Sequence, residues 1–141
     1  MKYYGYIHEI FGSLQGEGIY IGIPQIFIRF GRCNLRCEYC DTRVTQDDNS
    51  SRKYSIPAVM KRVKHLSPAN YHSVSLTGGE PLLQAEFIRY LIPPLRRLGL
   101  KIYLETNGTL PVELQRVINL IDVVAMDIKL GVTGIPDLEI Q

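Results

Sequence analysis

Pro24-Gln25-Ile26-Phe27-Ile28-Arg29-Phe30-Gly31-Arg32-Cys33-Asn34-Leu35-Arg36-Cys37-Glu38-Tyr39-Cys40-Asp41-Thr42 is the stretch that decides the fold. Residues 24–30 are β-branched and aromatic, the composition of a strand. The loop that follows holds all three cysteines of the chain, spaced C-x3-C-x2-C. An odd number of cysteines crowded this closely is a poor disulfide framework. In a reducing compartment they read as metal ligands. Three thiolates on one short loop can bind three irons of a cubane cluster and leave the fourth iron open. A structural zinc site is the competing reading. It needs a fourth ligand, and His8, His65 and His72 lie far away in sequence. Unliganded buried cysteines would not be packed beside Arg36 and Glu38.

Outward from this stretch, strands alternate with helices. Residues 4–10 read as a short strand. Residues 44–53 are polar and read as a mobile loop. Ser55 is placed to cap a helix with Pro57 in its first turn and Val59, Val63 and Leu66 on one face. Residues 73–76 read as a strand. A helix from about Pro81 is expected to break or end near Pro93-Pro94. Residues 100–104 are a strand, 111–120 a helix and 121–128 a continuous apolar strand. This order implies parallel βαβ units. There are too few strands to close an eight-fold barrel, so the expected fold is α/β, a partial, open (β/α) barrel shortened at its C-terminus. Residues 1–141 are expected to form a single domain, with 131–141 as a tail of little pattern.

Three more motifs stand at strand ends. Thr77-Gly78-Gly79-Glu80-Pro81 follows the 73–76 strand. Its glycines can take positive φ and let backbone approach a ligand, though a plain strand-to-helix turn reads the same way. Glu105-Thr106-Asn107-Gly108 follows the next strand, and Asn-Gly is a common turn. Asp127-Ile128-Lys129 ends the last strand, with acid and base on one face or simply paired with each other. In a parallel sheet these strand ends share one rim, so the motifs should converge on one site.

Bulk properties narrow the class further. A net charge of +2 argues against nucleic acid or a membrane surface as the main partner. No apolar run approaches a membrane span, and no secretory signal is legible, so a cytoplasmic location is expected.

C-x3-C-x-aromatic-C after a strand, with Gly-Gly-Glu following, resembles the radical S-adenosylmethionine superfamily. A narrower resemblance lies upstream. Ser13-Leu14-Gln15-Gly16-Glu17-Gly18, Phe27-Ile28-Arg29-Phe30 and Cys40-Asp41-Thr42 are similar to the 7-carboxy-7-deazaguanine synthase family. On the residues alone, the glycines could be a flexible turn, Arg29 could pair with an acidic residue, and Asp41-Thr42 could be a cap.

The resemblance implies that Cys33, Cys37 and Cys40 hold a [4Fe–4S] cluster and that Tyr39 flanks the adenine of S-adenosylmethionine. Gly78, Gly79 and Glu80 would meet the methionyl end, with Thr106, Asn107, Asp127 and Lys129 as further cofactor contacts. Gln15, Glu17 and Asp41 would contact a pterin, with Glu17 also a proton acceptor. Arg29 would take the substrate carboxylate and Thr42 would ligate Mg2+. The implied reaction is radical conversion of 6-carboxy-5,6,7,8-tetrahydropterin to 7-carboxy-7-deazaguanine with loss of ammonia, on the route to queuosine and other 7-deazapurines. An electron donor such as flavodoxin or ferredoxin is implied, and a homodimer that completes the site is one expectation. The family pattern continues through further βα units that carry more pterin contacts, so the chain is expected to be short of them. Two other functions fit parts of the pattern. One is a radical activating enzyme acting on a protein glycine, and the other is a non-catalytic iron–sulfur module.

Overall fold

The computed structural model describes residues 3–46, 48–66 and 70–129. One mixed sheet organises them, in the order β3-β1-β2-β4-β5-β6. Strand β1 (Tyr4–Leu14) runs antiparallel to both β2 (Pro24–Phe30) and β3 (Arg52–Ser55). Strands β2, β4 (Ser73–Gly78), β5 (Lys101–Thr106) and β6 (Val123–Met126) are parallel. Among the described residues the sheet stays open, as the small number of strands predicts. The tail 131–141 lies outside them.

Helices α1 (Ile56–His65) and α2 (Ala85–Arg96) cover one face. Ile26, Ile28, Phe30, Val74 and Leu76 meet Val59, Val63, Ile88 and Leu91 there, all completely buried. Ser55 caps α1 by accepting the Ala58 N–H, with Pro57 in the first turn. Alternation along β2 sends Gln25, Phe27 and Arg29 to the opposite face, which carries the site.

Five sequence expectations need correction. Strand β1 runs on to Leu14 and is bulged between Ile7 and Glu9. Part of the stretch predicted as a loop is ordered, with helical turns at Arg43–Gln46 and Asp48–Ser50 and the start of β3. Strand β3 is an exposed basic edge, so it lacks the apolar alternation that marks a strand. Helix α2 passes through Pro93 and Pro94 to Arg96. Interior proline costs roughly 3 kcal/mol or more. Burial of Ile92 and Leu95 offsets this at about 1.5–3 kcal/mol each. The 111–120 helix is split into α3 (Pro111–Gln115) and a turn at Ile118–Leu120, and β6 is confined to four residues.

No helix among the described residues is long and apolar enough to cross a membrane.

Candidate functional site

The C-terminal ends of the four parallel strands open onto one cavity of about 960 Å3. The cysteine loop leaves β2, Gly79-Glu80 leaves β4, Asn107-Gly108 leaves β5 and Asp127-Ile128-Lys129 leaves β6. Cys33, Cys37 and Cys40 all line the cavity, and all are free thiols. Cys37 is buried and the other two are partly exposed. Burial pushes the Cys33 thiol above its ordinary pKa, opposed by the hydrogen bond it accepts from the Leu35 N–H. Three soft donors facing one space suit an iron–sulfur cluster. No three His, Cys, Asp or Glu side chains among the described residues converge on a single metal-ion position.

Two glycines let the β4 loop lie against the cysteine loop. Gly78 has φ +132°, where other residues are strained. A Cβ on Gly79 would overlap the Arg32 carbonyl and press on Cys33 Cβ. Their small size is therefore demanded first by chain packing beneath the site. Both line the cavity, so their backbone remains available to a ligand.

Glu80 departs from the other sequence-predicted residues, because it is wholly buried and absent from the cavity wall. Its carboxylate accepts hydrogen bonds from the Leu82 N–H (2.9 Å), the Thr106 hydroxyl (2.9 Å) and the Asn107 N–H (2.8 Å). Burial raises its pKa, and these donors oppose the rise. Glu80 joins the ends of β4 and β5. Asn107 extends the joint by donating its side-chain amide to Asn34 of the cysteine loop at 3.0 Å. Asn34 in turn donates to Thr109 at 2.8 Å.

The floor of the cavity is polar. Gln15 Nε2 donates to Gln25 Oε1 and to Glu105 Oε1, both at 2.9 Å. Gln25, fully buried, donates to Ser73. Glu105 also accepts from Ser75 at 2.8 Å and Thr77 at 2.6 Å. A polar strip thus runs from Gln15, just past β1, across β2, β4 and β5 and fixes a carboxylate facing the cavity. Gln15 is spent largely on this strip, since its oxygen accepts the Glu17 N–H. Glu17 itself is exposed at the cavity mouth.

Arg29 points into the cavity wall, and the acidic pairing that its sequence left open is present. Its Nε lies 3.0 Å from Glu9 Oε1, and its Nη1 donates to Thr42 Oγ1 at 3.1 Å. Thr42 donates to Asp41 Oδ1 at 2.8 Å. Hydroxyl and carboxylate oxygens are the donors that magnesium takes, and here Arg29 already holds the threonine oxygen. Across the cavity, Lys129 Nζ pairs with Asp127 at 2.9 Å and lies 5.3 Å from the Tyr39 ring centroid. Burial lowers the Lys129 pKa, and Asp127 outweighs it to give a net rise.

Sequence reasoning missed Glu9, Gln25 and Asn34 as parts of this site, and named Glu105 only within its motif, with no role of its own. Polar residues inside strands read as solvent-facing. The signal available was that Ser73, Ser75 and Glu105 sit at period two in strands otherwise buried.

Comparisons with known proteins point to one superfamily. The model of the Radical SAM superfamily matches residues 27–132. A 7-carboxy-7-deazaguanine synthase from Methanothermobacter thermautotrophicus is 44% identical, over 89% of this chain and 49% of its own length. Another from Geobacter sulfurreducens is 40% identical, over 94% of this chain and 60% of its own. The crystal structure of QueE from Escherichia coli is similar with a TM-score of 0.67 and 27% identity, over 75% of this chain and 53% of that one. The chain therefore spans about half to three-fifths of the length of these relatives. With the family model covering most of the chain and its motifs gathered on one rim, the chain belongs to the radical SAM superfamily.

Proposed function

We propose that this chain carries the radical site of a 7-carboxy-7-deazaguanine synthase, acting on 6-carboxy-5,6,7,8-tetrahydropterin. The superfamily implies a [4Fe–4S] cluster and S-adenosylmethionine. Cys33, Cys37 and Cys40 would hold the cluster. When bound, the reduced cluster and S-adenosylmethionine supply the radical that takes hydrogen from C6 of the pterin.

The observation that carries this reading is the sharing of one cavity by the three thiols, Arg29 and Thr42. Arg29 offers a planar fork to a substrate carboxylate. Thr42 and Asp41 offer hard oxygens to Mg2+. Because Arg29 donates to the Thr42 hydroxyl, the metal would enter together with the substrate carboxylate, which brings a negative charge between the two cations. Glu105 presents a fixed carboxylate suited to the N–H groups of a pterin ring. Glu17, exposed at the mouth, is the candidate proton acceptor of the reaction. Tyr39 offers a flat face for adenine beside Lys129 and Asp127. Gly78 and Gly79 offer backbone to the methionyl group. Glu80, Thr106 and Asn107 hold that backbone in place.

We place the electron source with a flavodoxin- or ferredoxin-type donor, the location in the cytoplasm, and the assembly as a homodimer. The test is anaerobic reconstitution with iron and sulfide, then reductant, S-adenosylmethionine, Mg2+ and the pterin, with products read by mass spectrometry. Formation of 7-carboxy-7-deazaguanine is expected. Cofactor cleavage without deazapurine would move the substrate assignment elsewhere.

A further inference from the structure

We infer that Glu9 is a positioning residue that sets the Arg29 guanidinium end-on to the cavity for a ligand carboxylate. The inference rests on the reading of Arg29 given above and adds a residue outside the motifs.

It begins with the strand. Ile7 and Ile10 are three apart, yet both pack on the helix-covered core. Unbroken alternation forbids this. The irregularity between Ile7 and Glu9 inserts one residue and reverses the facing of everything after it. Without it, Glu9 would face the apolar core. With it, Glu9 stands directly opposite Arg29, and Phe11 opposite Phe27. The two phenylalanines stack with centroids 5.2 Å apart, and the guanidinium carbon lies 5.5 Å from the Phe11 ring.

The charges explain why the register matters. Arg29 Nε is sealed from solvent and makes no hydrogen bond of good geometry. A buried cationic edge without an anion is costly. Glu9 supplies the anion at 3.0 Å, with 47% of its own side chain still exposed. Thr42 takes one hydrogen of Nη1 from the other side. Paired by charge at Nε and hydrogen-bonded at Nη1, the guanidinium keeps its remaining Nη hydrogens for a carboxylate approaching end-on. Without Glu9, the long side chain would regain rotamer freedom and lose the fixed approach.

The test uses the anaerobically reconstituted protein and two probes. These are 6-carboxy-5,6,7,8-tetrahydropterin and tetrahydropterin without the carboxylate, with affinities read by equilibrium dialysis. The wild type should prefer the carboxylated ligand. Glu9→Gln should cut that preference roughly fivefold, the upper range for a half-exposed ion pair, with binding of the plain pterin unaltered. Glu9→Asp, which keeps the charge, should retain more of the preference than Glu9→Gln. An equal loss for both ligands would make Glu9 merely structural and overturn the inference. An unchanged preference would overturn it as well, and an enhanced one would mark Glu9 as a competitor. A wild type without any preference would instead remove the carboxylate role of Arg29, and the inference with it.

Discussion

The buried Glu80 carboxylate accepts the Asn107 backbone N–H at 2.8 Å, across a sequence gap of 27 residues. This bond joins the ends of β4 and β5 under the cavity. Asn107 then reaches Asn34, so a side chain that lines the cavity also supports the loop that carries the thiols.

Glu80→Gln should therefore destabilise the fold. The amide keeps one oxygen for Leu82 and Thr106 but turns an N–H2 toward the Asn107 N–H. A buried donor left unsatisfied costs about 1–3 kcal/mol. Denaturant titration of the apo protein should show that loss, and an unchanged midpoint would show that Glu80 is not the joint.

Gly79→Ala should be worse, since its Cβ would meet backbone on the cysteine loop rather than a flexible side chain. We expect poor folding and little cluster on reconstitution. Gly16→Ala is the matched control, because nothing lies within 4 Å of a Cβ there. Its unfolding midpoint should stay near that of the wild type. Equal midpoints for the two variants would contradict the packing account.

Much of this site was legible because its chemistry is local in sequence. The C-x3-C-x2-C loop, Gly-Gly-Glu, Asn-Gly and Asp-x-Lys each follow a strand, and parallel strands bring such ends together. Glu9 and Gln25 were not legible, and Glu105 was legible only as part of its motif, not as the carboxylate that the polar strip fixes. A polar residue in a strand normally marks a face turned to solvent, whereas here that face lines a cavity. The facing of Glu9 depends further on a bulge that no turn residue announces. Strand β3 escaped for a related reason, since an edge strand of Arg52, Lys53, Tyr54 and Ser55 has one partner and little to bury.

Tyr39 is 53% exposed, more than an aromatic side chain needs for packing alone. If adenine covers it, Tyr39→Ala should weaken S-adenosylmethionine binding by about 1–2 kcal/mol, the range for aromatic stacking. Tyr39→Phe should retain most of the affinity. Equilibrium dialysis of the reconstituted protein decides this, and equal losses for the two variants would implicate the hydroxyl instead.

Replacing Gln25 by Leu should strand one N–H of the Gln15 amide inside the sheet and leave Ser73 with His72 alone. The expected cost is about 1–3 kcal/mol of stability. Because Gln15 also holds Glu105, pterin affinity should fall as well. A variant as stable as the wild type would mean that the polar strip is not a connected unit.

The most direct test of the three-thiol centre is iron–sulfur spectroscopy on the reconstituted protein before and after S-adenosylmethionine is added, with Cys37→Ala beside it. The account predicts a [4Fe–4S] signal in the wild type that shifts when the cofactor binds, and no cluster in the variant. A wild type that takes up zinc without iron, or a Cys37→Ala protein with its full cluster signal, would contradict it.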